Sequence, residues 1–185
     1  MTRIEALTAA VEAAPDAAFV VTCGATSREM AAVADLPNHL YLLDSMGLTT
    51  SVALGLAIGL RERGRDVVAI DGDGSLLMNL GSLATIGAYG PTGLTIMLLD
   101  NGVHASASGI PTTSPRLDLC AVAEGCGIVA GEVRTTEDLV AGLRTALGDQ
   151  RPHMLRVRIA PQNAPDIPWL HADPVVLGER FKAWV

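Results

Sequence analysis

The chain has 185 residues, of which 49% are apolar and only 3% aromatic, and its formal net charge is −7 at pH 7. This length suffices for one domain with a substantial core, which must be built mainly from Ala, Val, Leu and Ile. The negative charge argues against nucleic acid or an anionic membrane as the main partner, although local basic groups can still bind a small anion.

Helices and strands are predicted to alternate along the whole sequence. Strands that are apolar on both faces and alternate with helices indicate a mostly parallel sheet covered on both sides, so the expected fold class is a three-layer α/β/α fold. Strands are predicted over residues 18–23, 39–43, 66–70, 94–99, 127–129 and 153–159. Helices are predicted over residues 4–14, around 28–30, and over 46–63, 76–89, 117–125, 135–147 and about 174–184, the last after a Pro-rich segment at 161–168.

The sequence also carries signals about its compartment. Residues 1–5 show no signal-peptide pattern, and charged residues at 61–63 end the longest apolar run before it could span a bilayer. Cys23, Cys120 and Cys126 are odd in number and lack metal-type spacing, which favours reduced thiols. We therefore predict a cytoplasmic protein.

Four polar turns that contain glycine follow predicted strands. They are residues 24–27, 44–47, 71–74 and 100–102. Because ligands of parallel α/β sheets collect at the carboxyl ends of the strands, these turns are expected to meet around one site. In the first turn, Thr26 or Ser27 is expected to cap the following helix.

The turns around Asp73 and Asn101 carry the most specific pattern. Asp73 lies within Gly72-Asp73-Gly74 after one apolar strand, and Asn101 follows the next apolar strand. A carboxylate and an amide at neighbouring strand ends favour a small hard cation such as Mg²⁺, which usually bridges to phosphates. The glycines let the backbone approach such phosphates closely. The alternative is an ordinary strand–turn–helix–strand unit.

This motif resembles the diphosphate-and-metal motif of thiamine-diphosphate enzymes. The closer resemblance is to the family of sulfopyruvate and phosphonopyruvate decarboxylases, and it implies a thiamine-diphosphate-binding fold. The segments that carry this resemblance are 26–29, 45–57, 71–86, 101–104 and 108–112, with 163–165 and 179–181 also similar.

The resemblance implies a role for each matching residue. The side chains of Asp73 and Asn101 and the backbone carbonyl of Val103 would bind Mg²⁺, while the amides of Gly74 and Ser75 would face the diphosphate. The other cofactor-binding positions that it implies are Gly24, Thr26, Asp44, Ser45, Met46, Gly72 and His104.

Two of these positions would orient the organic part of the cofactor. Met46 matches a bulky apolar wedge between the two rings, and the Asp44 carbonyl would accept a hydrogen bond from the 4′-amino group. For Met46, the alternative is a flexible core filler.

Three features near the expected site concern the substrate. His104 would transfer protons or bind the distal anion, unless it is an exposed loop histidine. Arg28 would bind a sulfonate or phosphonate, unless it forms an ordinary ion pair. Residues 105–113 form either a mobile lid or substrate-facing loop, or an ordinary flexible loop.

Enzymes of this family also need a second module, which binds the aminopyrimidine and supplies an activating Glu. The chain is long enough only for the first module, so residues 1–185 are interpreted as a single diphosphate-binding domain, the β subunit of a split enzyme. A pyrimidine-binding α subunit would complete it, in an α₂β₂ or larger assembly.

The expected reaction is the conversion of 3-sulfopyruvate, a small anionic 2-oxoacid, to sulfoacetaldehyde and CO₂. Phosphonopyruvate, giving phosphonoacetaldehyde, is the first alternative. A subunit of another 2-oxoacid decarboxylase or carboligase, or a non-catalytic cofactor-binding regulatory subunit, are the others.

Overall fold

Eight α-helices and eight β-strands make up the fold in the computed structural model, which describes residues 1–185. The helices are α1 (Arg3–Ala13), α2 (Ala25–Val33), α3 (Thr49–Leu60), α4 (Asp73–Met78), α5 (Ser82–Tyr89), α6 (Leu119–Gly125), α7 (Thr136–Leu147) and α8 (Pro174–Trp184). The strands are β1 (Ala18–Val21), β2 (His39–Tyr41), β3 (Val67–Gly72), β4 (Leu94–Asp100), β5 (Val103–His104), β6 (Ile110–Pro111), β7 (Val129–Val133) and β8 (His153–Arg158).

Six of the strands form one parallel sheet in the order β2-β1-β3-β4-β8-β7. The remaining two, β5 and β6, pair as a separate antiparallel hairpin. Gly72 lies opposite Leu99 in the register of β3 and β4, so the turns after these central strands start side by side. The predicted α/β class with a parallel sheet is confirmed.

Apolar side chains cover both faces of this sheet. On one face α1, α2 and α7 pack against residues such as Phe19 and Met97, and on the other α3, α5 and α6 pack against residues such as Ile96. The central strand β4 is buried along its whole length, as expected for a parallel strand covered on both sides. None of the helices combines the length and apolarity needed to cross a bilayer.

Two predicted helices differ from the observed ones. The helix predicted from residue 46 begins only at Thr49, because Asp44 and Gly47 have positive φ angles of 57° and 82° and turn the chain before it. The helix predicted over 76–89 is divided into α4 and α5. Asn79 leaves helical geometry (φ −141°, ψ 50°) at this break.

Two further boundaries were wrong or shifted, and one was confirmed. Neither Thr26 nor Ser27 is the N-cap of α2; Gly24 is, and the Ser27 hydroxyl instead donates to the Thr22 carbonyl at 2.5 Å. The strand predicted at 127–129 is Val129–Val133, because Gly127 takes a positive φ of 86° directly before it. The C-terminal helix begins and ends where predicted.

Candidate functional site

A small cavity of about 70 Å³ lies where β1, β3 and β4 reach the carboxyl edge of the sheet. Most of the residues singled out from the sequence line this cavity. They are Thr26, Met46, Gly72, Asp73, Gly74, Ser75, Asn101, Val103 and His104. The fold therefore brings together segments from four turns that are far apart in sequence.

Asp73 is the first residue of α4, directly after β3, and its side chain is 2% exposed. Burial raises the pKa of this carboxyl above its ordinary value of 3.8, and hydrogen bonds from the Thr112 hydroxyl and from the backbone of Asn101 and Gly74 act in the opposite direction. The Thr112 hydroxyl donates to Asp73 Oδ2 at 2.5 Å. None of these contacts is with a cation, so the buried carboxylate has no counter-ion within the chain.

Asn101 lies in a tight turn that follows β4. Its side-chain oxygen accepts a hydrogen bond from the Val103 amide at 3.1 Å, and the carboxylate of Asp100 accepts one from the Gly102 amide at 3.1 Å. Side chains thus bond back to the backbone on both steps of the turn, as in Asx turns. This pattern fixes the position from which Asn101 faces the cavity.

Asp100 anchors the same turn to the sheet. Its Oδ2 accepts hydrogen bonds from Arg156 Nε at 2.7 Å, from Arg158 Nη1 at 2.5 Å and from the Ser114 hydroxyl at 2.5 Å. Asp100 is 1% exposed, so two arginines from β8 compensate a fully buried charge. A buried carboxylate paired in this way is a structural support rather than an open ligand.

His104 and Gly74 are in direct contact. A Cβ atom placed on Gly74 would lie 2.3 Å from His104 Cε1, so the imidazole packs against the backbone at the start of α4. Only glycine permits this approach. The contact places the imidazole against the first turn of α4, to which Gly74 belongs.

The turn that carries Met46 is held from both sides. The Gly47 amide donates to Ser75 Oγ at 2.9 Å, and the Asn79 side chain donates to the Gly47 carbonyl at 2.9 Å. Asn79 therefore leaves helical geometry where its side chain binds this turn. Met46 lines the cavity from a clamped backbone rather than from a helix end.

Other predicted residues lie outside the cavity wall. Arg28 stacks on Trp169, with its guanidinium carbon 4.4 Å from the ring centroid. Asp44 and Ser45 precede Met46 without lining the cavity, and a Cβ on Gly24 would lie 3.9 Å from Ser106 Cβ. The substrate role of Arg28 stays a prediction.

Residues that the sequence patterns did not mark also contribute to the site. Arg3, Thr22 and Cys23 line the cavity. Ser106 and Thr112 belong to the 105–113 loop that the sequence did mark: Ser106 lines the cavity, and the Thr112 hydroxyl donates to Asp73. The hairpin of β5 and β6 holds this segment over the site. Thr112 lies within residues 108–112, one of the segments that carry the family resemblance, so its contribution to the site could have been predicted from the sequence.

The arrangement fits a diphosphate and a divalent cation. The buried Asp73 carboxylate lacks a counter-ion, and Gly74 and Ser75 at the start of α4 line the same cavity. No group of three His, Cys, Asp or Glu side chains suitable for a metal exists in the chain. A cation here would therefore need oxygens from a bound phosphate group to complete its coordination, as Mg²⁺ sites on phosphates commonly do.

Comparisons with known proteins agree with this geometry. The family profile described as "Thiamine pyrophosphate enzyme, C-terminal TPP binding domain" matches residues 22–157. The structure of a thiamine diphosphate-dependent 4-hydroxybenzoylformate decarboxylase from Rhodococcus jostii superposes with a TM-score of 0.77 at 21% identity, over 89% of this chain and 33% of that one. This likeness shows the fold.

Curated relatives are more similar in sequence. A phosphonopyruvate decarboxylase from Streptomyces viridochromogenes is 41% identical over all of this chain and 46% of its own length. The subunit beta of a sulfopyruvate decarboxylase from Methanothermobacter thermautotrophicus is 39% identical over 97% of this chain and 92% of its own length. The chain thus spans about half the length of the Streptomyces relatives that it matches.

The resemblance predicted from the Gly72-Asp73-Gly74 motif and Asn101 is confirmed by these matches, as is the thiamine-diphosphate-binding fold. The chain belongs to the thiamine pyrophosphate enzymes through their C-terminal TPP-binding domain and, within them, to the family of sulfopyruvate and phosphonopyruvate decarboxylases.

Proposed function

We propose that this chain is the diphosphate-binding β subunit of a thiamine-diphosphate- and Mg²⁺-dependent decarboxylase of 3-substituted pyruvates. The observation that carries this proposal is the convergence of Asp73, Gly74 and Asn101 on one cavity with no internal cation at Asp73. In this proposal the side chains of Asp73 and Asn101 and the Val103 carbonyl hold Mg²⁺, and the Gly74 and Ser75 amides bind the diphosphate.

The remaining site residues would orient the reactants. Met46, on its clamped turn, and the Asp44 carbonyl would hold the organic part of the cofactor. Gly24, Thr26, Ser45 and Gly72 would complete the cofactor contacts. When bound, thiamine diphosphate supplies the thiazolium ring that accepts the electron pair released as CO₂ leaves.

His104 would handle protons in the reaction. Its imidazole lies against Gly74, at the wall of the cavity and beside the 105–113 segment. From there it could donate a proton to the carbon that loses CO₂ or contact the substrate's distal anion. The segment itself, tied to Asp73 through Thr112, would exclude water.

The proposed substrate is 3-sulfopyruvate, with sulfoacetaldehyde and CO₂ as products. Support comes from the sulfopyruvate decarboxylase subunit beta, which this chain matches over 92% of that subunit's length. Phosphonopyruvate is the second candidate, supported by the 41% identity to the Streptomyces phosphonopyruvate decarboxylase. The two acids differ mainly in the distal group, so the same site chemistry serves both.

The proposal includes a pyrimidine-binding module that supplies the activating Glu. We place that module in a separate α subunit, as the names of the matched beta subunits suggest. An α₂β₂ or larger assembly would then form each active site at the interface between subunits.

Reconstitution tests this function. The purified chain is assayed alone and with a pyrimidine-binding subunit, with Mg²⁺ and thiamine diphosphate, on 3-sulfopyruvate, phosphonopyruvate and pyruvate; aldehyde and CO₂ are measured. We expect little activity alone and restored activity on one of the two 3-substituted acids. High activity of the lone chain would contradict the split site. Cofactor binding without turnover of any 2-oxoacid would favour a regulatory subunit instead.

A further inference from the structure

Arg3, the first residue of α1, forms part of the cavity wall, although no motif in the sequence marks it. Its side chain is 4% exposed and pairs with Glu29 of α2, from Nη1 to Oε1 at 2.6 Å. With His104, it is one of two basic side chains that line the cavity. A permanent positive charge therefore lies in the wall of the same cavity as the partnerless Asp73 carboxylate.

Some N–H donors of the Arg3 guanidinium form no hydrogen bond within the chain. A guanidinium has five N–H donors, but the hydrogen bonds of Arg3 all leave from Nη1, to Glu29 and to Asn163 Oδ1 at 3.2 Å. Its Nε atom is buried without a partner. Because a buried donor without an acceptor is unfavourable, particularly on a charged group, an anion that reached this nitrogen would stabilise the arrangement.

Glu29 and the segment after β8 hold this guanidinium in place. Glu29 Oε1 accepts a second hydrogen bond, from the Ala164 amide at 3.1 Å, and Asn163 contacts the same Arg3 nitrogen. One edge of the planar group is thereby fixed. The donors on its other edge are set at a constant angle, which an ammonium group on a flexible stem would not provide.

We propose that Arg3, held by Glu29, donates hydrogen bonds to an oxyanion bound in the cavity. This inference rests on the proposed function, which brings two such anions into the cavity: the diphosphate of the cofactor and the sulfonate or phosphonate of the substrate. Both present several oxygens to paired donors, a geometry that suits arginine. Arg3 is then the cation that binds this anion, rather than Arg28, whose guanidinium stacks on the Trp169 ring.

Two different variants of Arg3 test this role, so that the test does not fail if one of them does not fold. Arg3→Lys keeps the positive charge but loses the planar, paired N–H donors of the guanidinium. The double variant Arg3→Met with Glu29→Met removes both members of the buried pair, so that no unpaired charge remains. Arg151→Met is the matched control, because Arg151 is exposed and pairs only with Asp149.

Binding is measured first by calorimetry with inorganic diphosphate and with thiamine diphosphate, both with Mg²⁺. If the cofactor's diphosphate is the anion, both dissociation constants rise about tenfold or more in the Arg3 variants, as expected for a lost hydrogen bond to a charged group. Arg151→Met is expected to leave them unchanged. A wild-type chain that binds inorganic diphosphate through Arg3 but not thiamine diphosphate would contradict the proposed function and support the inference.

The second arm uses the assembled enzyme saturated with cofactor. If the substrate's acid group is the anion, KM for 3-sulfopyruvate or phosphonopyruvate rises about tenfold, while the dissociation constant of thiamine diphosphate stays unchanged. If the dissociation constants and the KM values of the Arg3 variants all stay within about twofold of wild type while only thermal stability changes, Arg3 is a structural residue and the inference is overturned.

Discussion

Asp73 and Glu29 are equally buried, each 2% exposed, yet their surroundings differ. Glu29 meets the guanidinium of Arg3 at 2.6 Å, whereas Asp73 meets a hydroxyl and backbone amides but no cation. Burial, together with the nearby Asp100 carboxylate, raises the pKa of Asp73. For a carboxylate that lines a cavity, as Asp73 does, a missing counter-ion therefore points to a ligand site, whereas the guanidinium beside Glu29 marks that carboxylate as structural support.

Stability in the absence of ligands is expected to show the largest contrast between these carboxylates. Glu29→Gln leaves the Arg3 charge buried without its partner and is expected to lower the free energy of unfolding by about 3 kcal/mol. Asp73→Asn removes a charge that has no partner, so the free energy should stay constant or rise. Urea denaturation measures both. An equal loss of stability in the two variants would contradict the comparison.

Support of the Asn101 turn is expected to have the next largest effect. Asp100→Asn removes the charge that Arg156 and Arg158 compensate and loosens the turn that presents Asn101. The Mg²⁺ concentration for half-maximal binding of thiamine diphosphate should rise about tenfold, since supporting residues of metal sites typically have effects of this size.

The control for this variant is Asp149→Asn, whose carboxylate pairs with the exposed Arg151 away from the cavity. It should leave the Mg²⁺ requirement unchanged. An unaltered requirement in Asp100→Asn as well would mean that the turn keeps its geometry without the arginine pair.

Gly74→Ala is expected to have a smaller effect. The added Cβ would lie 2.3 Å from His104 Cε1, so the imidazole must move away from the start of α4. We expect turnover of the assembled enzyme to fall about fivefold, at the low end of overpacking effects because a side chain can yield. Gly81→Ala, which places its Cβ in open space, is the control. Equal turnover in the two variants would show that the ring position is unimportant.

The smallest expected effect is a pH dependence of the stability difference between wild type and Asp73→Asn. The pKa of Asp73 is raised in the folded chain above its ordinary value of 3.8. The folded state therefore binds a proton more readily than the unfolded state, and wild type gains stability as pH falls through the folded pKa. The advantage of Asp73→Asn should be largest near pH 7 and shrink toward pH 4 in metal-free buffer. A constant difference would contradict the raised pKa.

The central part of the fold and site could be predicted from local patterns. Apolar strands followed by glycine turns mark β3 and β4, and the parallel register then places the turns at Asp73 and Asn101 side by side. These features depend on short segments and on the rules of parallel sheets, so one sequence contains enough information to predict them.

Contacts across long distances in sequence could not be predicted in the same way. Arg3 reaches Asn163, 160 positions away, and its place in the cavity wall depends on how α1 packs on the sheet. The predicted start of α3 was wrong for a related reason. The turn at Gly47 is fixed by hydrogen bonds with Ser75 and Asn79, which local helix propensity does not reveal.

Calorimetric titration of thiamine diphosphate, with and without Mg²⁺, into wild type and Asp73→Asn tests the proposed metal site most directly. Mg²⁺ should strengthen binding to wild type by about 100-fold or more, above the usual effect of a supporting residue, and should have almost no effect on Asp73→Asn. Equal strengthening by Mg²⁺ in both proteins would contradict the assignment of Asp73 as a metal ligand.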